Sequence, residues 1–351
     1  LPLDKKKLHP IGVIGPNADS RKALVGNYEG TSSRYITVLE GIEDYVGENV
    51  RVLYSEGCHL YRDRTSNLAM EHDRDSEVRA VCEASDVVIA VVGLDATLEG
   101  EEGDTGNEYG SGDKPNLNLP GLQPDIIRIA KESGKPVIVV LLAGSAMALS
   151  WEDEHVDAIL DGFYPGAQGG AAIAEILFGG ANPEGKLPIT FYQTTEELPE
   201  FTDYAMKGRT YRYMENEALY PFGYGLSYTT YAYGNLECVK PFDAQDGITL
   251  QVTVTNTGDR EGTETLQVYV KAKREGTPNP QLKYVKKITL KPGESVTEEI
   301  HLSPEAFMLY DEKGNFTLEK GAYDIFVGGC QPDARSAALT GNAPQKLTVT
   351  Y

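Results

Sequence analysis

Five short apolar runs, at residues 11–14, 50–54, 87–92, 137–142 and 158–163, are continuous rather than alternating. A strand with one wet face reads apolar, polar, apolar. A strand that is apolar at every position has to be covered on both faces, as strands of a parallel sheet between helices are. The intervening residues agree with this, because 76–84, 121–133 and 169–178 show helical periodicity behind helix-compatible starts. Residues 1–191 are therefore expected to form an α/β sandwich with a mostly parallel sheet and helices on both faces.

The rest of the chain follows a different rule. Residues 248–255, 263–271, 285–290, 295–302 and 323–328 alternate apolar and polar positions, with turn signals at Asn256-Thr-Gly-Asp, Lys291-Pro-Gly-Glu and Lys313-Gly-Asn. This predicts an all-β, immunoglobulin-like sandwich of fibronectin type III kind over 231–351, with the Asn256 turn closing a hairpin. Residues 192–230, rich in Tyr and weak in periodicity, are expected to be an ordered linker.

Charge and composition narrow the function. Lys and Arg number 32 against 53 Asp and Glu, a formal charge of −21 that repels a phosphate backbone, so nucleic acid is not an expected partner. The longest apolar runs fall far short of the roughly 20 residues that span a bilayer, so no membrane partner is expected. The opening residues lack an apolar core followed by a small-residue cleavage site, and the chain reads as cytoplasmic or as a processed secreted product. Cys58, Cys82, Cys238 and Cys330 contain no CxxC pair and are read as buried free thiols. His9, His59, His72, His155 and His301 show no zinc spacing, and no metal or cofactor is expected. The single Trp151 reads as core.

The segment with the most chemistry is Gly93-Leu-Asp-Ala-Thr-Leu-Glu-Gly-Glu-Glu-Gly-Asp-Thr-Gly-Asn-Glu-Tyr-Gly-Ser-Gly-Asp113, directly after the third apolar run. In open α/β sheets ligands bind at the carboxyl ends of strands, and a loop this long suggests more than connection. Glu99, Glu101 and Glu102 bring like charges together, which can raise one carboxyl toward a general acid's range. A calcium loop uses the same residue types, although the EF-hand spacing is absent, and a merely solvated acidic loop is the plain alternative. Ile11-Gly-Val-Ile-Gly-Pro-Asn-Ala-Asp lacks the third glycine and the lysine of phosphate-binding loops and reads as a turn in which Asn17 or Asp19 caps the next element. Gly26-Asn-Tyr-Glu-Gly30 places Tyr28 in a glycine-flanked loop where it could stack on a sugar or simply pack. Gly144-Ser-Ala-Met follows a strand without a histidine partner or a nucleophile elbow.

Several strings taken together resemble the C-terminal half of a family 3 glycoside hydrolase, the group that holds many β-glucosidases and β-xylosidases. They are Val13-Ile-Gly-Pro-Asn-Ala-Asp-Ser20, Gly26-Asn-Tyr-Glu-Gly30, Thr37-Val-Leu-Glu-Gly-Ile42, Thr97-Leu-Glu-Gly-Glu-Glu102, Leu117-Asn-Leu-Pro-Gly-Leu-Gln123, Tyr164-Pro-Gly-Ala-Gln-Gly-Gly170, Leu177-Phe-Gly-Gly-Ala-Asn-Pro-Glu-Gly-Lys-Leu-Pro188 and Tyr220-Pro-Phe-Gly-Tyr-Gly-Leu-Ser-Tyr228. The resemblance implies a retaining, exo-acting β-glycosidase whose nucleophilic Asp belongs to a barrel beyond this chain, with the acid/base Glu on the long loop of the α/β sandwich. On this resemblance Glu99 is the first candidate for the acid/base, followed by Glu102 and Glu101. Tyr28 falls where some members place an aromatic beside the sugar, and Asp95 and Glu108 are weaker substrate-binding candidates. The family's Asp-Arg before the L-x-L-P-G-x-Q string is replaced here by Gly103-Asp104, with an insertion up to Gly112-Asp113-Lys114.

The partners so implied are a barrel-containing chain or domain of the same enzyme and a β-linked oligosaccharide or glycoside. The other reading is a non-catalytic carbohydrate-binding or scaffold module. Discrimination between glucose, xylose and arabinose would rest mostly on the barrel.

Overall fold

The computed structural model describes residues 1–100, 114–311 and 313–351. It divides into two compact units, one of residues 1–181 with 193–195, the other of residues 182–192 with 196–351.

In the first unit the elements run β1 (Ile11–Ile14), α1 (Val38–Val46), β2 (Val52–Ser55), α2 (Asp75–Glu83), β3 (Val87–Gly93), α3 (Gln123–Glu132), β4 (Val137–Leu142), α4 (Ser150–His155), β5 (Ala158–Asp161) and α5 (Gly169–Leu177). The five strands form one sheet in the order β2-β1-β3-β4-β5, every neighbouring pair parallel. All residues of β1, β3 and β4 are buried, while the edge strands β2 and β5 are mostly half-buried. That gradient is why the central runs read so plainly in the sequence. Ile11, Val13, Ile89, Val91, Val140 and Leu142 form one core with Val38, Ile42 and Val46 of α1 and Ile173 and Leu177 of α5. Helices α2 and α3 pack on the sheet from strands β1 to β4, burying Val78, Cys82, Ile126, Ile127 and Ala130. The strand order reverses between β1 and β3, the position at which doubly wound sheets open a crevice at their carboxyl ends.

Several expectations need correction. Helix α1 is capped by neither Asn17 nor Asp19. Thr37 caps it by accepting from the Glu40 amide at 3.2 Å, and its hydroxyl donates to Asp19 at 3.0 Å. Asn17 is buried and its side-chain amide donates to the Leu94 carbonyl at 2.8 Å, joining the ends of β1 and β3. Trp151 is half-buried, stacked on His155 with centroids 4.2 Å apart under the Arg128 guanidinium. Cys58, Cys82 and Cys330 are buried, but Cys238 is exposed on an edge strand.

In the second unit the elements are α6 (Thr210–Tyr213), β6 (Tyr231–Asp243), β7 (Gly247–Asn256), β8 (Gly262–Ala272), β9 (Gln281–Leu290), β10 (Ser295–Leu302), β11 (Leu309–Tyr310), β12 (Phe316–Thr317), β13 (Ala322–Gly328), α7 (Ala334–Thr340) and β14 (Gln345–Thr350). Antiparallel sheets of order β10-β7-β6 and β14-β13-β8-β9 enclose a core that includes Leu250, Val252, Leu266, Val268, Ile300 and Ile325. Burial alternates along β7, as its sequence does. Since β7 and β8 belong to different sheets, the Asn256 turn is a crossover and not a hairpin. The Asn256 side chain sustains it, accepting from the Thr229 hydroxyl at 2.7 Å and donating to the carbonyls of Arg260 and Leu290. Within this unit Tyr211 stacks on Phe222 at 4.2 Å, and Asn279 donates to the carbonyls of Tyr211 and Met214.

Candidate active site

The site is built where β3, β4 and β5 end. Beyond Gly93 the chain leaves the sheet, and Gln123, fully buried at the start of α3, holds it there. Its side-chain carbonyl accepts from the Gly93 amide at 2.7 Å, while its amide donates to the Gly93 and Leu60 carbonyls at 2.9 and 2.6 Å. Asp95 then makes a tight turn. Its carboxylate accepts from the Thr97 amide at 2.9 Å and the Thr97 hydroxyl, and its carbonyl accepts from the amides of Leu98 and Glu99. Leu98 is buried, so the turn carries Glu99 toward the carboxyl end of β4.

There the Glu99 carboxylate meets hydrogen-bond donors from two parts of the chain and an ammonium group from a third. Oε2 accepts from the Gly144 amide at 2.6 Å and from the Tyr164 hydroxyl; Oε1 accepts from the Ser145 hydroxyl and lies 3.8 Å from Lys114 Nζ. The side chains of Glu99 and Lys114 are only 12% and 13% exposed, so this is a largely desolvated ion pair. Lys114 also donates to the Ala146 carbonyl at 3.1 Å. Burial lowers the affinity of the Lys114 amine for its proton, and the Glu99 charge opposes that. The Tyr164 phenol is pushed far up, first by burial, then by the charge of Glu99 and its bond to it, so Tyr164 stays protonated and able to donate. Its ring leaves no room for a side chain at 144, where a Cβ would lie 2.7 Å from the ring and 3.1 Å from Glu99.

The turn that delivers Tyr164 starts at Asp161, the last residue of β5. One carboxylate oxygen accepts from the Phe163 amide at 3.0 Å, and the other is buried without a hydrogen-bond partner among the described residues. Burial pushes this carboxyl up to about 6 from an ordinary 3.8. The folded chain then keeps a proton that the unfolded chain releases, so stability falls as pH rises from about 4 to about 6 and is level above. Asp161→Asn should therefore be more stable than the native chain at pH 7.5, by on the order of 1–3 kcal/mol, with the gain shrinking toward pH 4.5. Denaturant unfolding at the two pH values checks it, and an equal difference at both would remove the explanation.

Of the residues singled out from the sequence, Glu99 and Asp95 lie together here. Tyr28 is 87% exposed with a left-handed backbone (φ 59°), two residues beyond Gly26, where a Cβ would lie 3.0 Å from the Tyr164 ring. Glu101, Glu102 and Glu108 lie outside the described residues. Three members of the site escape sequence reasoning. Ser145 has the look of a strand-end nucleophile but gives its hydrogen to a glutamate, Lys114 stands only as a departure from a pattern, and Tyr164 only as part of a string. No short-range signal joins them, since they stand 46, 15 and 65 positions from Glu99, the first and last distances being those of hydrogen-bonded pairs. Among the described residues no group of three or more His, Cys, Asp or Glu could hold a metal ion, and no helix is long and apolar enough to cross a membrane.

Comparison with known proteins gives two matching family models, the glycosyl hydrolase family 3 C-terminal domain over residues 1–228 and a fibronectin type III-like domain over residues 264–331. A periplasmic β-glucosidase of Salmonella typhimurium is 36% identical across 93% of this chain and 45% of its own length. A β-xylosidase of Formosa agariphila is 33% identical across 97% of this chain and 47% of its own length. A β-glucosidase structure from Erythrobacter marinus superposes on the whole chain with a TM-score of 0.81 at 30% identity, the match covering 47% of that protein. The chain thus spans about half the length of the relatives it matches.

Proposed function

The chain belongs to glycosyl hydrolase family 3, and from that premise we propose that it is the C-terminal portion of a retaining, exo-acting β-glycosidase, a β-glucosidase or β-xylosidase acting on terminal non-reducing sugars. In this reading Glu99 is the general acid/base, and an N-terminal barrel portion supplies the nucleophilic carboxylate. The observation that supports it is a loop carboxylate, Glu99, held in a largely desolvated setting at the carboxyl ends of parallel strands.

The chemistry follows from the two carboxylates. Glu99 protonates the glycosidic oxygen as its bond to the anomeric carbon breaks, while the nucleophile attacks that carbon from the opposite face. Glu99, now ionised, then takes a proton from the water that releases the sugar. Double inversion leaves the β configuration. Substrate contacts fall to Tyr28 on the exposed loop, with Asp95 and Glu108 as further members. The fibronectin-like domain takes a supporting role.

The test is the first-formed product. The enzyme assembled with its N-terminal portion should hydrolyse p-nitrophenyl β-glucoside or β-xyloside, and proton NMR at early times should show the β-anomer first. An α-anomer as first product would replace the retaining mechanism with an inverting one, and no cleavage of either glycoside would sink this reading in favour of a carbohydrate-binding or scaffold role.

A further inference from the structure

The two oxygens of Glu99 face different kinds of partner. Oε2 faces a backbone N–H, that of Gly144, together with the Tyr164 hydroxyl. Oε1 faces the Ser145 hydroxyl, and its ammonium neighbour Lys114 stands at 3.8 Å, beyond hydrogen-bonding distance. A backbone N–H can only donate, so an oxygen that meets it at 2.6 Å has no room for a hydrogen of its own in that direction. The serine and tyrosine hydroxyls can each donate or accept, so it is the Gly144 N–H, present on Oε2 alone, that sets the two ends apart. The two ends of the carboxyl group are thus not equivalent as seats for a proton.

Resting on the acid/base reading of Glu99, we propose that the transferable proton resides on Oε1, and that Ser145 is a positioning residue whose hydroxyl donates to the carboxylate and accepts from the acid. Gly144 and Tyr164 hold Oε2 as the acceptor end throughout. In the glycosylation step the Oε1–H bond breaks and its electron pair stays on the carboxylate. The proton bonds to the glycosidic oxygen, which keeps the electron pair of its broken bond to the anomeric carbon. That carbon is taken by the nucleophilic carboxylate of the N-terminal portion. The Ser145 hydroxyl then turns back to donate to Oε1. In the second step the proton drawn from water returns to Oε1.

The experiment compares two substrates on the enzyme assembled with its N-terminal portion: a 2,4-dinitrophenyl β-glycoside, whose leaving group needs no proton, and the corresponding β-disaccharide, whose leaving group does. Ser145→Ala should lower kcat/KM, which reports the first step, on the disaccharide by roughly 10- to 100-fold, the value of one hydrogen bond to a charged group, and by less than about 3-fold on the dinitrophenyl substrate. Ser145→Thr, which keeps the hydroxyl, should recover most of the loss. If Ser145→Ala does not fold, the near-isosteric Ser145→Cys takes the same test. Equal losses on both substrates for the Ser145 variants, with the split retained in Glu99→Gln, would overturn the proposal and leave Glu99 as the acid. A split in Tyr164→Phe but none in Ser145→Ala would overturn it by moving the proton to Oε2. No split in Glu99→Gln itself would overturn the acid/base reading, and the assignment of Oε1 with it.

Discussion

Glutamine in place of Glu99 should slow the assembled enzyme by roughly 10²- to 10⁴-fold on glycosides with poor leaving groups, the range that general acid catalysis contributes. Loss on dinitrophenyl glycosides should be far smaller in the first step, because their leaving group departs without a proton. The substitution is nearly isosteric, and the glutamine carbonyl can still accept from the Gly144 amide and the Tyr164 hydroxyl. A structural failure is therefore separable from a chemical one. Sodium azide adds a second test: it should restore turnover of the activated glycoside in Glu99→Ala by attacking the glycosyl intermediate without base assistance. Rescue of Glu102→Ala or Glu101→Ala in place of Glu99→Ala would transfer the acid/base role to that residue.

The second large effect is on stability and lies away from the chemistry. Gly170 opens α5 where that helix meets the start of α1. A Cβ built on Gly170 would lie 1.8 Å from the Thr37 carbonyl oxygen and 2.6 Å from that of Ile36, and one built on Gly41 would lie 2.2 Å from the Gly170 carbonyl group. The obstructing atoms are backbone, so no rotamer change relieves the clash. The Gly170 amide also donates to Ile36 at 3.0 Å, and the Thr37 carbonyl accepts from Gly41 at 2.8 Å. Helices α1 and α5 together cover one face of the sheet, so parting them opens a core that reaches Val13, Ile89 and Val140. Gly170→Ala should cost about 3 kcal/mol or more, the upper end for overpacking, and lower the unfolding midpoint by roughly 6–12 °C. Gly30→Ala, where a Cβ meets nothing within 4 Å, is the control, with an expected change within about 0.5 kcal/mol. Calorimetry of the two variants decides it. A Gly170→Ala midpoint within a degree or two of the native one would show that the two helices are not as closely joined as described.

Legibility tracks burial. The central strands are readable because burial on both faces leaves a continuous apolar run, and β4 has the residues its run predicts. β7 is readable because one buried face imposes a period of two. β6 gives no such signal: most of its residues are exposed or half-buried and its pairing with β7 slips register at several points, so the side chains it sends to the core, Tyr231, Tyr233, Leu236 and Phe242, fall at irregular spacing. The Asn256 crossover reads as a hairpin for a related reason. The local turn chemistry is the same whether the next strand pairs with the last or joins another sheet, and only the sheet order distinguishes them.

The two architectures, the acidic loop after β3 and the presence of a candidate acid within it are all written in the chain itself, because they follow from local periodicity, composition and strings of neighbouring residues. What surrounds that acid is settled only by the folded molecule. The donors to Glu99 come from positions 45, 46 and 65 residues further on, at the ends of β4 and β5. They meet one carboxylate because parallel strands deliver their carboxyl ends to the same edge of the sheet, and strand order is set by long-range packing that no local pattern encodes.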